Sequence, residues 1–257
     1  MKRSRQSCFW RLKGQTMELD QGYGALARLA MIVLSTDETI ENEARSVLQD
    51  RPVSLLHSRV PAHADVTPET LKLMEAALPT TADLLPKYQD VVAYACTSGA
   101  TVIGPQEVAN LIQRAHPLAK VTNPITAVVA ACKALNIGSL AYVSPYVPEV
   151  TQPMRAFLAG HGISTVSEVS FRLKEDWTVA RIPEKDTKNK VMQSIADVTP
   201  EAVFISCTNL RTFGIIDALE QETGLPVISS NQALLWHMLK LAEVDARGWG
   251  PGRLFDV

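Results

Sequence analysis

The sequence predicts an α/β protein built from two similar Rossmann-like lobes, each with a parallel sheet, related by a pseudo-twofold axis. Short apolar runs alternate with longer segments of helical period, which is typical of a mostly parallel sheet with helices on both faces. The same strand-and-turn unit also occurs twice, ending at Cys96 and at Cys207, which indicates a duplicated lobe. The active site is expected in the cleft between the lobes, where the carboxyl ends of the strands meet.

The apolar runs predict six strands, at 29–34, 53–56, 91–95, 140–143, 163–171 and 202–206. Helical periodicity predicts eight helices, at 38–50, 68–79, 105–115, 124–135, 148–160, 187–196, 211–223 and 231–243. Pro68 follows Thr67 at a helix start, and Gly138 and Gly224 lie just past helix ends, as expected for helix boundaries. Each cysteine turn is expected to lead into a helix.

The first 13 residues hold five lysines and arginines and no acid. They lack the apolar run of a secretory signal. We therefore predict a disordered basic extension over 1–17, ahead of a natural start near Met17. The first lobe is predicted at 18–135, the second at 136–245 and a tail at 246–257, with the last helix a candidate to pack on the first lobe.

Composition excludes several classes of protein. Hydrophobic residues make up 46% of the chain, which excludes a disordered protein, and the net charge of -2 argues against a nucleic-acid partner. No apolar run is long enough to span a membrane. The four cysteines have no metal-site or disulfide spacing, so we expect no metal and a reducing cytoplasm. We expect a small-molecule substrate and a homo-oligomer, either a dimer or a tetramer.

The paired cysteines are the main candidates for chemistry. The run at 91–95 continues into Cys96, and the run at 202–206 continues into Cys207. A cysteine at a strand-to-helix turn is expected to have a lowered pKa, because the helix N-terminus favours the thiolate. Two such thiols can act as acid and base on opposite faces of a carbon, or one can attack covalently, so no cofactor is needed. The alternatives are two small buried core residues or a redox disulfide.

Eight polar residues at strand ends are candidates for substrate contact: Ser35, Thr36, Asp37, Thr97, Ser98, Tyr146, Thr208 and Asn209. Hydroxyl and amide groups beside the thiols suit a substrate carboxylate or a developing enolate. Helix capping is the alternative for Thr36 and Asp37 and for the residues beside the cysteines, and simple packing is the alternative for Tyr146. Cys8, Cys132 and the five histidines receive no role.

At these residues the chain resembles the aspartate/glutamate racemase superfamily, in the branch with maleate cis-trans isomerase, arylmalonate decarboxylase and the ectoine-utilisation protein. The resemblance spans roughly residues 28–245 and is carried by the segments at 32–41, 95–99, 144–146, 206–212 and 224–231. It implies two cysteine-bearing lobes, no cofactor and small carboxylate substrates. By the same resemblance, Cys96 matches the covalent nucleophile of the isomerases and Cys207 its partner, while Tyr146, Thr97, Ser98 and Thr208 would hold carboxylate oxygens.

Two departures from the family pattern bear on the substrate. The decarboxylases have glycine where this chain has Cys96, which argues against a one-thiol decarboxylase. Maleate isomerases typically carry asparagine in the first-strand loop, where this chain has Thr36 and Asp37. An acidic side chain there would repel a dicarboxylate and would suit an amino or amide group. The loop at 35–41 is most similar to that of the ectoine-utilisation members.

The leading hypothesis is a cofactor-independent isomerase most like maleate cis-trans isomerase, working by cysteine addition, bond rotation and elimination. The alternatives are an amino acid racemase or ectoine-utilisation enzyme, and a non-catalytic carboxylate-binding module. Small residues follow Cys96, whereas larger ones follow Cys207. We therefore expect Cys96 to be the more accessible, nucleophilic thiol and Cys207 to act as proton donor or base.

Overall fold

The structure, a computed structural model, describes residues 10–12, 15–17, 20 and 22–257. Strands β1 (Trp10–Leu12) and β2 (Gln15–Met17) pair as a short antiparallel ribbon. This part of the extension therefore has regular pairing, where disorder was expected. The prediction for residues 1–9, 13 and 14 lies outside the described residues.

Two four-stranded parallel sheets form the centre of the protein. The first contains β3 (Ala27–Leu34), β4 (Val53–Val60), β5 (Val91–Ala95) and β6 (Lys120–Thr122), and the second contains β7 (Ser139–Tyr146), β8 (Ser164–Leu173), β9 (Ala202–Ile205) and β10 (Val227–Ser229). The strand orders are β4-β3-β5-β6 and β8-β7-β9-β10, with every pairing parallel. Both sheets thus have the same topology, which confirms the predicted α/β fold with two similar lobes.

Ten helices cover these sheets within the described residues. They are α1 (Ile40–Leu48), α2 (Pro68–Asp83), α3 (Thr97–Ile103), α4 (Pro105–Gln113), α5 (Pro124–Leu135), α6 (Pro148–Gly160), α7 (Asp176–Val179), α8 (Glu184–Ile195), α9 (Ile216–Thr223) and α10 (Ser230–Leu241). Short 3-10 turns lie at Gly22–Gly24 and Arg253–Asp256. The structure adds β1, β2, β6, β10 and α7 to the predicted elements, because three or four residues are too few to show a period.

One predicted helix begins later than expected. The helix predicted over 211–223 starts at Ile216. The backbone N–H groups of Thr212 and Phe213 instead donate to the carboxylate of Glu43 in the first lobe. A tertiary partner therefore replaces the first helical turn, and periodicity alone does not reveal such a partner.

Local chemistry sets the other boundaries that matter for the site. Asn123 caps α5 by accepting from the backbone N–H of Thr126, and Ser229 forms a capping box with Gln232 at the start of α10. All five residues of β5 and all four of β9 are buried, as expected of central strands in a sheet covered on both faces. The strand ends that carry the two cysteines are therefore held rigidly.

The last helices of the two sheet-forming halves pack against each other. Helix α10 contacts α5 and also β5 and β6 of the first sheet, while α5 contacts β10 of the second. Nine residues of α10 are buried, which is typical of a helix enclosed on most sides. These contacts of α10 and α5 with the opposite sheets hold the carboxyl ends of β5 and β9 close together. No helix in the described part of the chain is long and apolar enough to cross a membrane.

Candidate active site

Cys96 lies at the end of β5 and caps helix α3. Its Sγ accepts from the backbone N–H of Gly99 at 3.2 Å and lies 3.7 Å from the Ser98 hydroxyl. A Cβ at Gly99 would come within 2.4 Å of the Tyr94 hydroxyl and 3.0 Å of the Cys96 sulfur. Only glycine therefore allows this turn to approach the thiol so closely.

Cys207 follows β9 in a different setting. No helix begins at this cysteine, since α9 starts only at Ile216, so the expectation of a strand-to-helix turn is wrong here. The Cys207 sulfur accepts from the backbone N–H of Asn209 at 3.3 Å and lies 3.2 Å from the Tyr146 hydroxyl. Its backbone φ of 150° is rarely adopted by residues other than glycine, and such strain is often found at functional positions.

Burial controls the acidity of both thiols. It raises the pKa of Cys96 to about 11. It also raises the pKa of Cys207 well above its usual value, with the nearby charge of Asp176 adding to the effect. The predicted lowering of the thiol pKa is therefore wrong for this arrangement, because desolvation outweighs the hydrogen bonds to sulfur. The predicted greater accessibility of Cys96 is also wrong, since Cys96 and Cys207 are 4% and 5% exposed.

A small, partly enclosed cavity of about 10 Å³ is lined by both thiols, with room for roughly one water molecule. Six of the predicted site residues line it: Cys96, Thr97, Ser98, Tyr146, Cys207 and Thr208. Its apolar walls include Leu34, Val66, Leu71 and Met154. The space is too small for a ligand larger than water, so lining side chains have to shift when a ligand binds.

The other four predicted residues surround the cavity without lining it. Ser35 accepts from the backbone N–H of Ala62 through its hydroxyl, and Thr36 donates to Asp176. The Asn209 side chain accepts from the backbone N–H of Glu38 and donates to the backbone carbonyl of Asp176. Substrate contact by these residues and by Asp37 stays a prediction.

Asp37 combines a capping role with an unusual acidity. Its Oδ1 accepts from the backbone N–H groups of Thr39 and Ile40. Its Oδ2 has no hydrogen-bond partner of normal geometry among the described residues, although the Thr208 side chain acts to lower its pKa. Burial outweighs these contacts and raises the pKa of Asp37 to about 6, which places its titration close to neutrality.

Asp176 is a site residue that the sequence reasoning missed. It lines the cavity and is 2% exposed. Its Oδ1 accepts from the Tyr146 hydroxyl at 2.9 Å and its Oδ2 from the Thr36 hydroxyl at 2.6 Å. The available signal was its position after β8, at the carboxyl end of a parallel strand. That signal was lost because the strand was predicted to end at residue 171 and the following Lys174, Glu175 and Asp176 resemble a solvated loop.

Ser230, at the start of α10, joins the two cysteine turns. Its hydroxyl accepts from the backbone N–H of Cys207 at 3.1 Å. The same hydroxyl lies 2.8 Å from that of Thr97, the residue after Cys96. One side chain therefore fixes the relative position of the two strand ends.

Glu43, on α1, binds the segment that follows Cys207. Its carboxylate accepts from the backbone N–H groups of Thr212 and Phe213 and from the Asn231 side chain, at 2.6, 3.0 and 2.6 Å. Asn231 also donates to the backbone carbonyl of Thr208. Burial raises the pKa of Glu43 to about 7 despite these donors. The Cys207 turn is thus attached to the first lobe through a buried carboxyl group.

The arrangement brings together the protonated thiols of Cys96 and Cys207, the phenol of Tyr146, and the buried carboxyl groups of Asp37 and Asp176. Cys96, Cys132 and Cys207 are free cysteines. Within the described ranges, no group of three or more His, Cys, Asp or Glu side chains is placed to hold a metal ion. The groups present suit proton transfer and thiol addition to an activated carbon.

Comparison with known proteins places the chain among relatives of this type. Residues 64–255 match the family model described as arylmalonate decarboxylase. The maleate isomerase of Nocardia farcinica is 25% identical over 243 residues, which cover 89% of this chain and 95% of the relative. The arylmalonate decarboxylase of Bordetella bronchiseptica is 28% identical over 137 residues, which cover 52% of this chain and 57% of the relative.

A solved structure has the same fold. It is a cysteine-to-serine variant of the Nocardia farcinica maleate cis-trans isomerase with a covalently bound succinylcysteine intermediate. The two folds superpose with a TM-score of 0.78 at 23% identity, covering 90% of this chain and 98% of the other. Together these comparisons confirm the resemblance to the branch that includes maleate isomerase and arylmalonate decarboxylase.

Proposed function

Because the chain belongs to the arylmalonate decarboxylase family, we propose that it is a cofactor-independent, two-cysteine isomerase that converts a small cis-unsaturated carboxylate to its trans isomer. The carrying observation is that Cys96 and Cys207 line the same cavity at the ends of equivalent strands. The relative with a bound succinylcysteine carries the covalent adduct that such chemistry forms. Maleate, the substrate named for several relatives, is the reference compound for testing this function.

In the proposed reaction the sulfur of Cys96 is the nucleophile. Its thiolate adds to one alkene carbon, and the π electron pair moves onto the conjugated carbonyl as an enolate. The former double bond then rotates as a single bond. Collapse of the enolate breaks the C–S bond, restores the double bond as trans and returns the thiolate. The reaction consumes no proton and no electron overall.

Cys207 is assigned the role of proton donor. Burial and the charge of Asp176 keep its thiol protonated, and the Tyr146 hydroxyl lies against its sulfur. The thiol gives its proton to the enolate carbon, which forms the succinyl-type adduct, and takes it back before elimination. Because the surroundings disfavour a thiolate at this position, the Cys207 thiolate is a stronger base for taking the proton back from the carbon.

Asp37 is assigned the role of base for Cys96. The Cys96 thiol must lose its proton before the C–S bond forms, and burial opposes that loss. A base with a pKa close to the working pH is the most efficient acceptor. Asp37 lies outside the cavity lining, but its charge acts on the Cys96 thiol, and its pKa, raised to about 6 by burial, fits this requirement.

A racemase is the second candidate, since the two thiols are almost equally buried and could serve as two bases. Incubation with maleate in D2O, followed by NMR, separates the reactions. Fumarate is expected from the isomerase, whereas deuterium at the α-carbon of an amino acid without maleate turnover would indicate the racemase. The variants Cys96→Ala and Cys207→Ala should lose activity, by roughly a thousandfold for Cys96.

Cys132→Ala is the matched control, because Cys132 is a buried free thiol on α5 outside the cavity. It should retain activity. If Cys96→Ala and Cys207→Ala turned over maleate as fast as this control, a two-cysteine mechanism would be ruled out. A carboxylate-binding module would instead bind maleate without converting it.

We further propose a cytoplasmic location, which the three free thiols of the described chain support. The expectation of a homo-oligomer stays a prediction.

A further inference from the structure

Asp176 occupies hydroxyl donors that a second substrate carboxylate would need. The Tyr146 hydroxyl donates to its Oδ1 and the Thr36 hydroxyl donates to its Oδ2. A hydroxyl has a single proton to donate. While these bonds exist, neither Tyr146 nor Thr36 has a proton left for a substrate oxygen on this side of the cavity.

The charges around the cavity also disfavour a dianion. None of the residues lining the cavity is basic, whereas Asp176 lines it and Asp37 lies close enough to influence both thiols. Arg59 and Arg181 form salt bridges with Glu41 and Glu38 at partly exposed positions. Like charges repel strongly where water is excluded, so a second carboxylate beside Asp176 would meet repulsion without compensating donors.

An N–H donor fits the same position. A carboxylate can accept about four hydrogen bonds, and two hydroxyls account for part of that capacity at Asp176. An amide group keeps its carbonyl conjugated with the double bond, which thiol addition requires, whereas an ammonium group provides no conjugation. The Ser98 hydroxyl makes only a long contact with the Cys96 sulfur. It is therefore free to donate to the single carboxylate of the substrate.

We propose that Asp176 makes this cavity select a cis-unsaturated four-carbon monoamide, with one carboxylate and one carboxamide, over the corresponding dicarboxylate. The inference rests on the proposed isomerase function and names the substrate class of that same site. Asp176 acts as the specificity-determining residue, because its carboxylate accepts from the amide N–H.

The backbone of Asp176 is held firmly enough for such selection. Its N–H donates to the carbonyl of Ala64, and its carbonyl accepts from the Asn209 side chain. The preceding residue, Glu175, pairs with Asp65 as an isolated β-bridge. Loops from both lobes therefore fix the carboxylate, and Asp176→Asn changes its charge and donor pattern with almost no change in volume.

Binding and turnover test the inference separately. Thermal shift titrations at pH 8 compare succinate with succinamate, the saturated diacid and its monoamide, which bind without reacting. The wild type should bind succinamate at least roughly tenfold more tightly, a difference of about 1.4 kcal/mol. Asp176→Asn should lose or reverse this preference. In turnover, the wild type should favour maleamate over maleate in kcat/KM, and Asp176→Asn should shift the ratio towards maleate.

Glu175→Gln is the matched control, because it removes a neighbouring charge from an exposed side chain outside the cavity, and it should keep the wild-type preference. The wild-type ranking decides the inference even if Asp176→Asn does not fold. Succinate binding as tight as succinamate binding would overturn the inference. Tighter binding of aspartate than of succinamate would also overturn it, because the site would then prefer an ammonium group to an amide. Absence of any turnover would refute the isomerase function, while the binding ranking would still decide selectivity.

Discussion

The two cysteine turns occupy equivalent places in the two sheets but have different surroundings. Cys96 begins a helix and its sulfur accepts from the N–H of Gly99. Cys207 begins an irregular segment, has a strained φ of 150° and lies against Tyr146. A duplicated strand pattern therefore supplies two thiols, while the residues that differ around them provide the basis for two chemical roles.

The difference lies mainly in what each thiol contacts. The Cys96 turn consists of small residues of its own lobe. Beyond Cys207, a row of hydrogen bonds runs through Tyr146 and Asp176 to Thr36 of the other lobe. Such a chain of hydrogen bonds can stabilise the protonated Cys207 thiol and can rearrange when the thiol loses its proton. This suits a proton donor better than a nucleophile.

The largest expected effect concerns which thiol carries the covalent adduct. With maleate, the variant Cys207→Ser should form an adduct on Cys96, because the nucleophile and its base Asp37 remain and a serine hydroxyl can still pass a proton to the enolate carbon. The converse variant, Cys96→Ser, should form none. Peptide mass spectrometry after rapid acid quenching locates the modification. An adduct on Cys207 with Cys96 unmodified would reverse the two roles.

The next effect tests the Cys96 turn alone. Gly99→Ala places a methyl group within 2.4 Å of the Tyr94 hydroxyl and 3.0 Å of the Cys96 sulfur. Displacing the nucleophile by about 1 Å should lower kcat roughly a hundredfold. Gly160→Ala is the matched control, since a Cβ there meets nothing within 4 Å. Similar kcat values for the two variants would show that the close approach at Gly99 is not needed.

A smaller effect is expected from Asp37→Asn, which tests the proposed base without changing either thiol. Asp37→Asn keeps an oxygen that can accept from Thr39 and Ile40, as Asp37 does, but removes the titrating group. Wild-type kcat should rise with pH through about 6, where Asp37 ionises. The variant should lose this step and fall at least roughly tenfold at pH 7. An unchanged step near pH 6 in the variant would assign it to another group.

The smallest effect on turnover is expected at Glu43, which attaches the Cys207 segment to α1. Because the folded pKa is raised from the usual 4.5 to about 7, the folded protein binds the extra proton. Its contribution is therefore present below pH 4.5 and is lost as pH rises through 7. The free energy of unfolding should fall by about 2 kcal/mol between pH 5 and pH 7 from this group.

Urea denaturation at several pH values measures this slope, and Glu43→Gln should make it shallower while leaving the contribution of Asp37. Glu38→Gln serves as the control, because Glu38 is an exposed residue just before α1 and pairs with Arg181. A slope that is equal in the wild type and in Glu43→Gln would place the titrating group elsewhere.

Much of the fold could be predicted from particular segments. The run at 91–95 is β5 with the same bounds, and the helices at 124–135 and 148–160 also match. Their boundaries follow from local chemistry, such as proline at the first helical position and an Asn123 cap. Strands β6 and β10 were not predicted, because three residues carry no period and their pairing depends on long-range contacts.

The candidate site likewise contains residues that the sequence could reveal and residues that it could not. Cys96, Cys207 and Tyr146 could be found because each stands at the end of a recognisable strand. Asp176 and Glu43 were missed, since their loop and helix sequences show ordinary charges. Their importance follows from partners such as Thr36 and Asn231, which lie far away along the chain.

The sequence by itself determined the two-lobed α/β architecture, the duplicated cysteine units and the family resemblance. These features depend on periodicity and on short motifs, which are local properties of the chain. Only the tertiary structure decided the acidity of the thiols, the missing helix after Cys207 and the position of Asp176. Each of these depends on burial and on hydrogen bonds between residues distant in sequence, because desolvation and partner geometry exist only once the two lobes have packed together.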